Sequence, residues 1–300
     1  MREFRGLCFL AMMTLRRQIF ARKTLVAAIL VAVACAGAAT WTTFRAPDSQ
    51  FQRDRAKRTP AWLRPYTVDR LVVAAVLVGI GDFHPFATIE SEYRPDPLLK
   101  FSREMVMQVF VGFLLPILSL LYAGAAIGEE KEERTLVYIL VRPLSLWKVY
   151  LAKAAGIAPL ALAAGVGGFA ALCLSGGAAG RAALELFVPA VAIATIAYSS
   201  LFLLFGALFS RPMVLGVAYA FFAEFLAGNL PGTLKRLSIA FHCRCIMYDA
   251  GSSHGFQPMS AALFNPISGQ AAFTVLLVFS ALLLAVGAFL FHRKEYRDLA

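Results

Sequence analysis

The stretch VMQVFVGFLLPILSLLYAGAAIGEEKEERTLVYILVRPLS, residues 106–145, joins a long apolar run to a dense group of charges. Residues 106–127 contain no charged side chain, and six consecutive charged residues follow at 129–134. An apolar helix of about twenty residues, rising about 1.5 Å per residue, crosses the hydrocarbon core of a membrane. The stretch therefore predicts a membrane-spanning helix that leads into a charged segment at the membrane surface.

The composition of the whole chain indicates a membrane protein. Of its 300 residues, 59% are hydrophobic and only 16% are charged, and the mean hydropathy is +0.69. That is too much apolar surface for one water-soluble core. The net charge of +11 comes from Lys and Arg in short clusters beside apolar runs, where basic residues meet anionic lipid. We therefore expect membrane lipid, and not nucleic acid, as a partner.

Apolar segments long enough to cross a membrane recur along the chain, and they predict an all-α integral membrane protein with a single domain, 1–300. The loops between them alternate between an outer and a cytoplasmic side. The predicted loops are an outer loop at 45–105, a cytoplasmic region at 128–148 and a second outer loop at 231–268. The six predicted spans are 24–44, 106–127, 149–174, 182–209, 213–230 and 269–291.

The distribution of basic residues gives the orientation. With a cytoplasmic N-terminus, fifteen Lys and Arg lie inside and fourteen outside, and ten of the fourteen lie between Arg45 and Arg103. Long loops are translocated largely regardless of their charge, so that loop carries little weight. Without it the count is fifteen to four, which places both termini in the cytoplasm.

The first 23 residues predict an interfacial helix. Four arginines lie off an apolar arc, while Phe9 and Leu10 interrupt the polar face. Two alternatives are an ordinary basic flank and a cleaved leader, for which AVAC at 32–35 is an imperfect lipoprotein box. The residues of the apolar arc are Phe4, Leu7, Cys8, Ala11, Met12, Leu15 and Ile19.

The charged stretch itself predicts a short amphipathic helix on the cytoplasmic surface. Its glutamates, Glu129, Glu130, Glu132 and Glu133, suit the start of a helix, where unpaired N–H groups favour negative charge. Leu136, Ile139 and Leu140 share one face, and Pro143 ends the helix. The alternative is a plain polar turn with solvated charges.

The same stretch resembles a pattern of ABC-2 type transporter permeases. EEKEERTL at 129–136, LVRPLS at 140–145 and the later Lys153 are similar to E-x-E-x-G-T-L … L-x-x-R-P-[VL]-S-R … K. Further similar features are SRP at 210–212, FFAEFLAGNLPG at 221–232 and FHRKEY at 291–296, so the resemblance covers nearly the whole chain apart from 46–103. The chain departs from the pattern at Arg134, where glycine is usual, and at Leu146, where a basic residue is common.

The resemblance implies a type V exporter-like permease in the bacterial cytoplasmic membrane, with an N-terminal interfacial helix and re-entrant or outer helices between spans five and six. It also implies a separate ABC ATP-binding subunit, which holds ATP and Mg, and a second permease chain in a homo- or heterodimer. The residues it assigns to coupling with that subunit are Glu129, Glu130, Glu133, Thr135, Leu136, Ile139, Leu140, Arg142 and Pro143.

The chain has no recognisable ATP site or catalytic constellation of its own. It contains no G-x-x-x-x-G-K-[ST] loop, and its four histidines are scattered. We therefore expect no catalytic residue, no cofactor in this chain and ATP hydrolysis in a partner. Two other classes remain as alternatives: an ATP-independent secondary transporter or channel, and a membrane scaffold without transport activity.

Two smaller features remain. Glu224 is an acid inside a predicted span, where it either serves a substrate path or a charge pair, or lies near the outer interface or a re-entrant turn. His242, Cys243 and Cys245 lie close together in the second outer region and are weak candidates for a Cu(I) site. The alternative is that these cysteines are only packed or oxidised.

Overall fold

The computed structural model describes residues 9–16, 22–45, 97–132, 145–226, 234–258 and 264–293. All regular secondary structure within these ranges is helical. We label the helices α1 to α8 in chain order. They are α1 (residues 9–16), α2 (Arg22–Arg45), α3 (Pro97–Phe101, Ser102–Leu114, Leu115–Ser119, Leu120–Gly124 and Ala125–Glu132 in succession), α4 (Leu146–Ser175), α5 (Gly177–Leu208), α6 (Pro212–Tyr219 and Ala220–Leu226), α7 (Ile239–Ala250) and α8 (Gly269–Arg293).

Four of these helices are long and apolar enough to cross a membrane, so the chain is a multi-pass membrane protein. Two shorter apolar helices, Thr24–Thr40 in α2 and Pro212–Glu224 in α6, lie where the first and fifth spans are predicted. By length and composition the count of qualifying helices is therefore four, and the six-span count stays a prediction. The four are Pro97–Gly128, Leu146–Ser175, Gly177–Leu208 and Gly269–Arg293.

The burial of the four long helices separates the centre of the bundle from its rim. The most apolar window of α3 is 83% buried, whereas that of α8 is 22% buried. The exposed side chains of α8 are large and apolar, among them Phe273, Val278 and Phe289. Exposing an apolar face of this kind to water is unfavourable, so it belongs against lipid tails. Helix α3 therefore forms part of the core, and α8 lies at the rim.

The start of α4, the end of α3 and the end of α8 lie together at one end of the bundle. The rings of Tyr150 and Phe291 lie 5.8 Å apart, and Gly287 leaves room for the Tyr150 hydroxyl, which a Cβ would contact. Lys153, one turn beyond Tyr150, reaches the backbone of Ala126 in α3. This is the end that the sequence predicts to be cytoplasmic.

Contacts at the opposite end join the start of α3 to the turn between α4 and α5. The ring of Phe101 occupies the space beside Gly176 that a side chain would need. An Arg103 guanidinium nitrogen donates to Gln257 O at 3.3 Å, and Phe187 meets Phe256 edge to face at 5.4 Å. Helices α3, α5 and α8 therefore run in one direction between two distinct ends, and α4 runs in the opposite direction.

Helix α1 packs on α4 through a face that includes Ala11 of the predicted apolar arc but otherwise departs from that arc. A Cβ at Gly156 would lie 2.6 Å from Ala11 O, so only glycine permits this approach. Leu10 and Thr14 are buried on the same side, whereas Met12 is 69% exposed. The prediction was wrong to place Leu10 on the polar face. Helical periodicity uses only the polarity of the residues and contains no information about which face a neighbouring helix covers.

Candidate functional site

The end of α3 is tied to α4 by a buried lysine. Lys153 is 1% exposed, and its Nζ donates to Ala126 O at 3.4 Å. A cation this deeply buried requires compensating polar contacts, and this backbone carbonyl oxygen supplies one of them. Lys153 thus fixes the last turns of α3 relative to the start of α4.

Glycines let α3 approach α5 and α6 at the same end. A Cβ at Gly128 would collide with the Pro212 ring, which begins α6. A Cβ at Gly206 in α5 would lie 3.1 Å from Gly124 O. Since these contacts involve backbone and a rigid proline ring, neither side can yield easily. The end of α3 is therefore packed against three other helices within a few residues.

The predicted coupling segment starts as a direct continuation of this packed helix. The backbone of residues 129–132 belongs to Ala125–Glu132, so Glu129 and Glu130 extend α3. The prediction that the glutamates begin a separate helix was wrong for these positions. Glu and Lys are good helix formers, and extending an existing helix avoids the cost of a new nucleus.

The remaining residues predicted to contact the ATP-binding subunit lie outside the described residues. The structure resumes at Ser145, whose carbonyl accepts from Lys148 N at 2.9 Å and so opens α4. The segment is therefore bounded by α3 on one side and by α4 on the other. The predicted residues outside the description are Glu133, Thr135, Leu136, Ile139, Leu140, Arg142 and Pro143.

The second candidate site surrounds Glu224, whose side chain is 0% exposed. Its Oε1 accepts from Tyr219 Oη at 2.8 Å and from Ile239 N at 3.0 Å. Its Oε2 accepts from Ser238 Oγ at 2.6 Å and from Ala240 N at 2.9 Å. Each carboxylate oxygen therefore accepts two hydrogen bonds. This suits a carboxylate, which accepts hydrogen bonds and has no proton to donate.

These contacts make Glu224 a cap for α7. Ser238 is the N-cap residue, and its Oγ also accepts from Phe241 N at 3.1 Å. The first N–H groups of a helix have no partner within the helix, so an acceptor from elsewhere stabilises its start. Glu224 is supplied by the π-helical part of α6, Ala220–Leu226. The carboxylate thus connects α6 to the N-terminus of α7.

Sequence reasoning selected Glu224 but missed Ser238 and the backbone groups of α7. A serine directly before the apolar residues of a helix is an N-cap signal, and it was available in the sequence. The expected alternatives for Glu224 were a functional path or a structural position. Within the described ranges its hydrogen-bond donors are hydroxyl and backbone N–H groups, which is a structural role.

Helix α7 lies within the bundle and not on its surface. Cys243 Sγ donates to Ala190 O of α5 at 3.5 Å, and a Cβ at Gly112 in α3 would lie 3.3 Å from an Arg244 guanidinium nitrogen. Gly112 lies near the middle of the candidate span Pro97–Gly128. The start of α7 therefore contacts the central parts of α3 and α5.

The comparison with protein families identifies one family. A family described as "ABC-2 family transporter protein" matches residues 86–236, half of the chain. The chain belongs to the ABC-2 transporter family. The matched range contains the predicted coupling segment and Glu224, and it ends two residues before the Ser238 cap. No curated protein matches the chain.

In this ABC-2 transporter, the three candidate metal ligands lie on α7 with separate partners. His242 Nδ1 is 3.0 Å from Ser238 O, and Cys243 faces Ala190 of α5. Cys245 is packed with Phe241 and Ala272 in a different cluster. Positions 243 and 245 are about 200° apart on a helix, which explains the divergence. Among the described residues, no group of three His, Cys, Asp or Glu side chains has an arrangement suited to a metal ion.

Proposed function

We propose that the chain is the membrane-spanning permease subunit of an ATP-driven ABC-2 exporter. Residues 129–145 contact a separate ABC ATP-binding subunit, which binds ATP and Mg and hydrolyses the nucleotide. A second permease chain, identical or related, completes the transporter. Membership of the ABC-2 transporter family supports the class and implies association with an ABC ATP-binding subunit in general terms.

One observation carries the proposal: the coupling segment continues a helix whose last turns are clamped. Lys153 Nζ bonds Ala126 O, and Gly128 lies against Pro212. Close-packed elements move as units and do not deform continuously. A displacement of residues 129–132 is therefore passed to the starts of α4 and α6. Because the chain has no phosphate-binding loop of its own, the energy of ATP must reach it from a separate subunit. That transfer requires a mechanical link of this kind.

We further propose six spans, both termini in the cytoplasm and α7 as a re-entrant helix between spans five and six. The short apolar helices in α2 and α6 support two additional spans. The test of this topology is a set of reporter fusions in the bacterial cytoplasmic membrane. Fusions after Lys131 and Arg297 should report a cytoplasmic location, and fusions near Asp54 and Ser252 an outer one. A cytoplasmic reporter at Asp54 would exclude the proposed first span.

The test of ATP coupling is purification of the tagged chain in mild detergent, followed by reconstitution in lipid vesicles. An ATP-binding subunit should co-purify, and the chain freed of it should neither bind nor hydrolyse ATP. Stoichiometric ATP binding by the isolated chain would contradict the assignment of hydrolysis to a partner. Transport driven by an ion gradient without ATP would favour a secondary transporter instead.

A further inference from the structure

An exposed arginine lies just before α7. Arg236 belongs to the short 3₁₀ helix Leu234–Leu237. Its side chain is exposed, as is that of Leu237, at 75%, whereas the side chain of Lys235 is buried. The short helix therefore turns one of its two cations toward the bundle and presents the other at the surface of the chain.

The depth of Arg236 follows from the contacts of Glu224. Helix α6 begins at Pro212, which lies against Gly128 at the predicted cytoplasmic end of the bundle. Glu224 follows Pro212 by twelve residues, which is about 18 Å along a helix. Its Oε2 accepts from Ser238 Oγ at 2.6 Å, and two residues of chain from Ser238 to Arg236 span at most about 7 Å. Arg236 therefore lies roughly 11–25 Å from that end, within the depth of a hydrocarbon core of about 30 Å.

A charged side chain at this depth does not face lipid tails. Arginine in contact with hydrocarbon is strongly unfavourable, so charged residues in membrane-spanning regions face a water-filled cavity or another polypeptide. The lipid-facing surface of α8 presents apolar side chains such as Val278, which is 57% exposed. The surface around Arg236 is therefore different in kind from that of α8, and it lies against water or protein.

Basic side chains predominate at the start of α7 in the described residues. Lys235, Arg236 and Arg244 lie within ten positions of one another, and the buried acid Glu224 contacts this start. Asp249, the other acid on α6 and α7, lies at the opposite end of α7. The start of α7 thus combines three cations with one anion, and the four hydrogen bonds described for Glu224 come from uncharged donors. The local potential favours an anion.

We propose that Arg236 lines a water-filled path through the transporter and binds an anionic group of the transported substrate, a phosphate or a carboxylate. A guanidinium suits these groups because its N–H donors match two oxygens at once. The proposal rests on the proposed transport function, since a water-filled path at this depth serves a transporter. It narrows the substrate to molecules that carry negative charge.

Cysteine accessibility tests the water-filled path. The experiment uses full chains in membrane vesicles, with the native cysteines replaced by alanine and one new cysteine added. The probes are two water-soluble methanethiosulfonates, anionic sulfonatoethyl and cationic trimethylammonioethyl. Leu237→Cys should react with the anionic probe faster than with the cationic one, by a ratio on the order of tenfold above that at the exposed Ser252→Cys. Val278→Cys is the matched control, exposed on the chain but facing lipid, and should react with neither probe.

Protection of the same cysteine tests anion binding. Dodecyl phosphate should slow the modification of Leu237→Cys by the neutral reagent N-ethylmaleimide several-fold, and dodecyltrimethylammonium should not. Arg236→Gln should abolish this protection, and Arg236→Lys should retain part of it. Inorganic phosphate separates two sources of the anionic group. Protection by both phosphates supports a site for anions in general, and protection by dodecyl phosphate alone supports a site for anionic amphiphiles.

Two results would overturn the proposal. A Leu237→Cys chain that reacts with neither charged probe would place this surface against lipid or a second permease chain. Equal protection by dodecyl phosphate in the presence of Arg236 and of Arg236→Gln would remove the role of the guanidinium. No ATP enters these measurements. Failure of the anion site is therefore distinguishable from failure of the proposed function, which is judged by co-purification and ATP dependence.

Discussion

Lys153 Nζ of α4 donates to Ala126 O of α3 at 3.4 Å, and this contact ties the helix that leads into the predicted coupling segment to the helix that follows it. The lysine is buried at the end of the bundle where α3, α4, α6 and α8 meet. Since residues 129–132 continue α3 without a break, a movement of the segment reaches α4 through this bond and through the packing around it.

Replacing Lys153 should uncouple the segment from the bundle. Lys153→Met keeps the aliphatic stem and removes the ammonium donor, so the chain should still fold and bind its ATP-binding subunit. Transport-linked ATP turnover should fall several-fold, measured in reconstituted vesicles. Lys148→Met, five residues earlier on α4, is the matched control and should retain most of the turnover. Equal losses in both variants would argue against a specific role for the Lys153 bond.

Gly128 should tolerate no side chain. Gly128→Ala places a Cβ against the rigid ring of Pro212, and overpacking of this kind costs about 1–3 kcal/mol in the free energy of unfolding. Gly167→Ala is the control, because a Cβ there meets nothing within 4 Å and alanine favours a helix by up to about 1 kcal/mol over glycine. Thermal unfolding in detergent should show a lower midpoint for Gly128→Ala and an unchanged or higher one for Gly167→Ala. The reverse order would contradict the close approach of α3 and α6.

The four-donor arrangement at Glu224 predicts a ranking of variants. Glu224→Ala leaves four donors without their acceptor, and each unsatisfied buried donor costs about 1–3 kcal/mol before relaxation. Ser238→Ala removes one cap and should cost about 0.5–2 kcal/mol. Glu185→Ala, at an exposed position of α5, should change stability by less than about 0.5 kcal/mol. The same thermal assay decides the order. A Glu224→Ala chain as stable as Glu185→Ala would remove the capping role.

Local pattern predicted the helices better than it predicted their contacts. Hydropathy identified the four long helices because each presents an apolar run of sufficient length. It marked Glu224 as unusual but did not identify its partners, since Ser238 lies 14 residues away and pairs with it only through the fold. The buried face of α1 was misjudged at Leu10 for the same reason. Periodicity describes a single helix. The face that becomes buried depends on the neighbouring helix, here on the space that Gly156 of α4 leaves for the backbone of α1.

The position at which a helix begins also could not be predicted from local charge alone. The glutamates at 129 and 130 suit a helix start by their effect on the helix dipole, yet their backbone extends α3. Extending α3 is more favourable than starting a separate helix, because it adds one hydrogen bond per residue without a new nucleation cost. Predictions for the rest of the segment rest on its sequence and its family resemblance, and they call for a direct test.

The most direct test of the central claim is co-purification of the ATP-binding subunit with a Leu136→Asp chain. If residues 129–145 dock on that subunit, this substitution buries a carboxylate in the interface, a change that costs several kcal/mol. Leu136→Met is the matched control and should behave as wild type, and Arg142→Ala should have a milder effect than Leu136→Asp. The account predicts that Leu136→Asp inserts and expresses normally but loses the co-purifying subunit and the transport-linked ATP turnover. A Leu136→Asp chain that keeps both its ATP-binding subunit and normal transport would show that residues 129–145 are a charged turn and not the site of coupling.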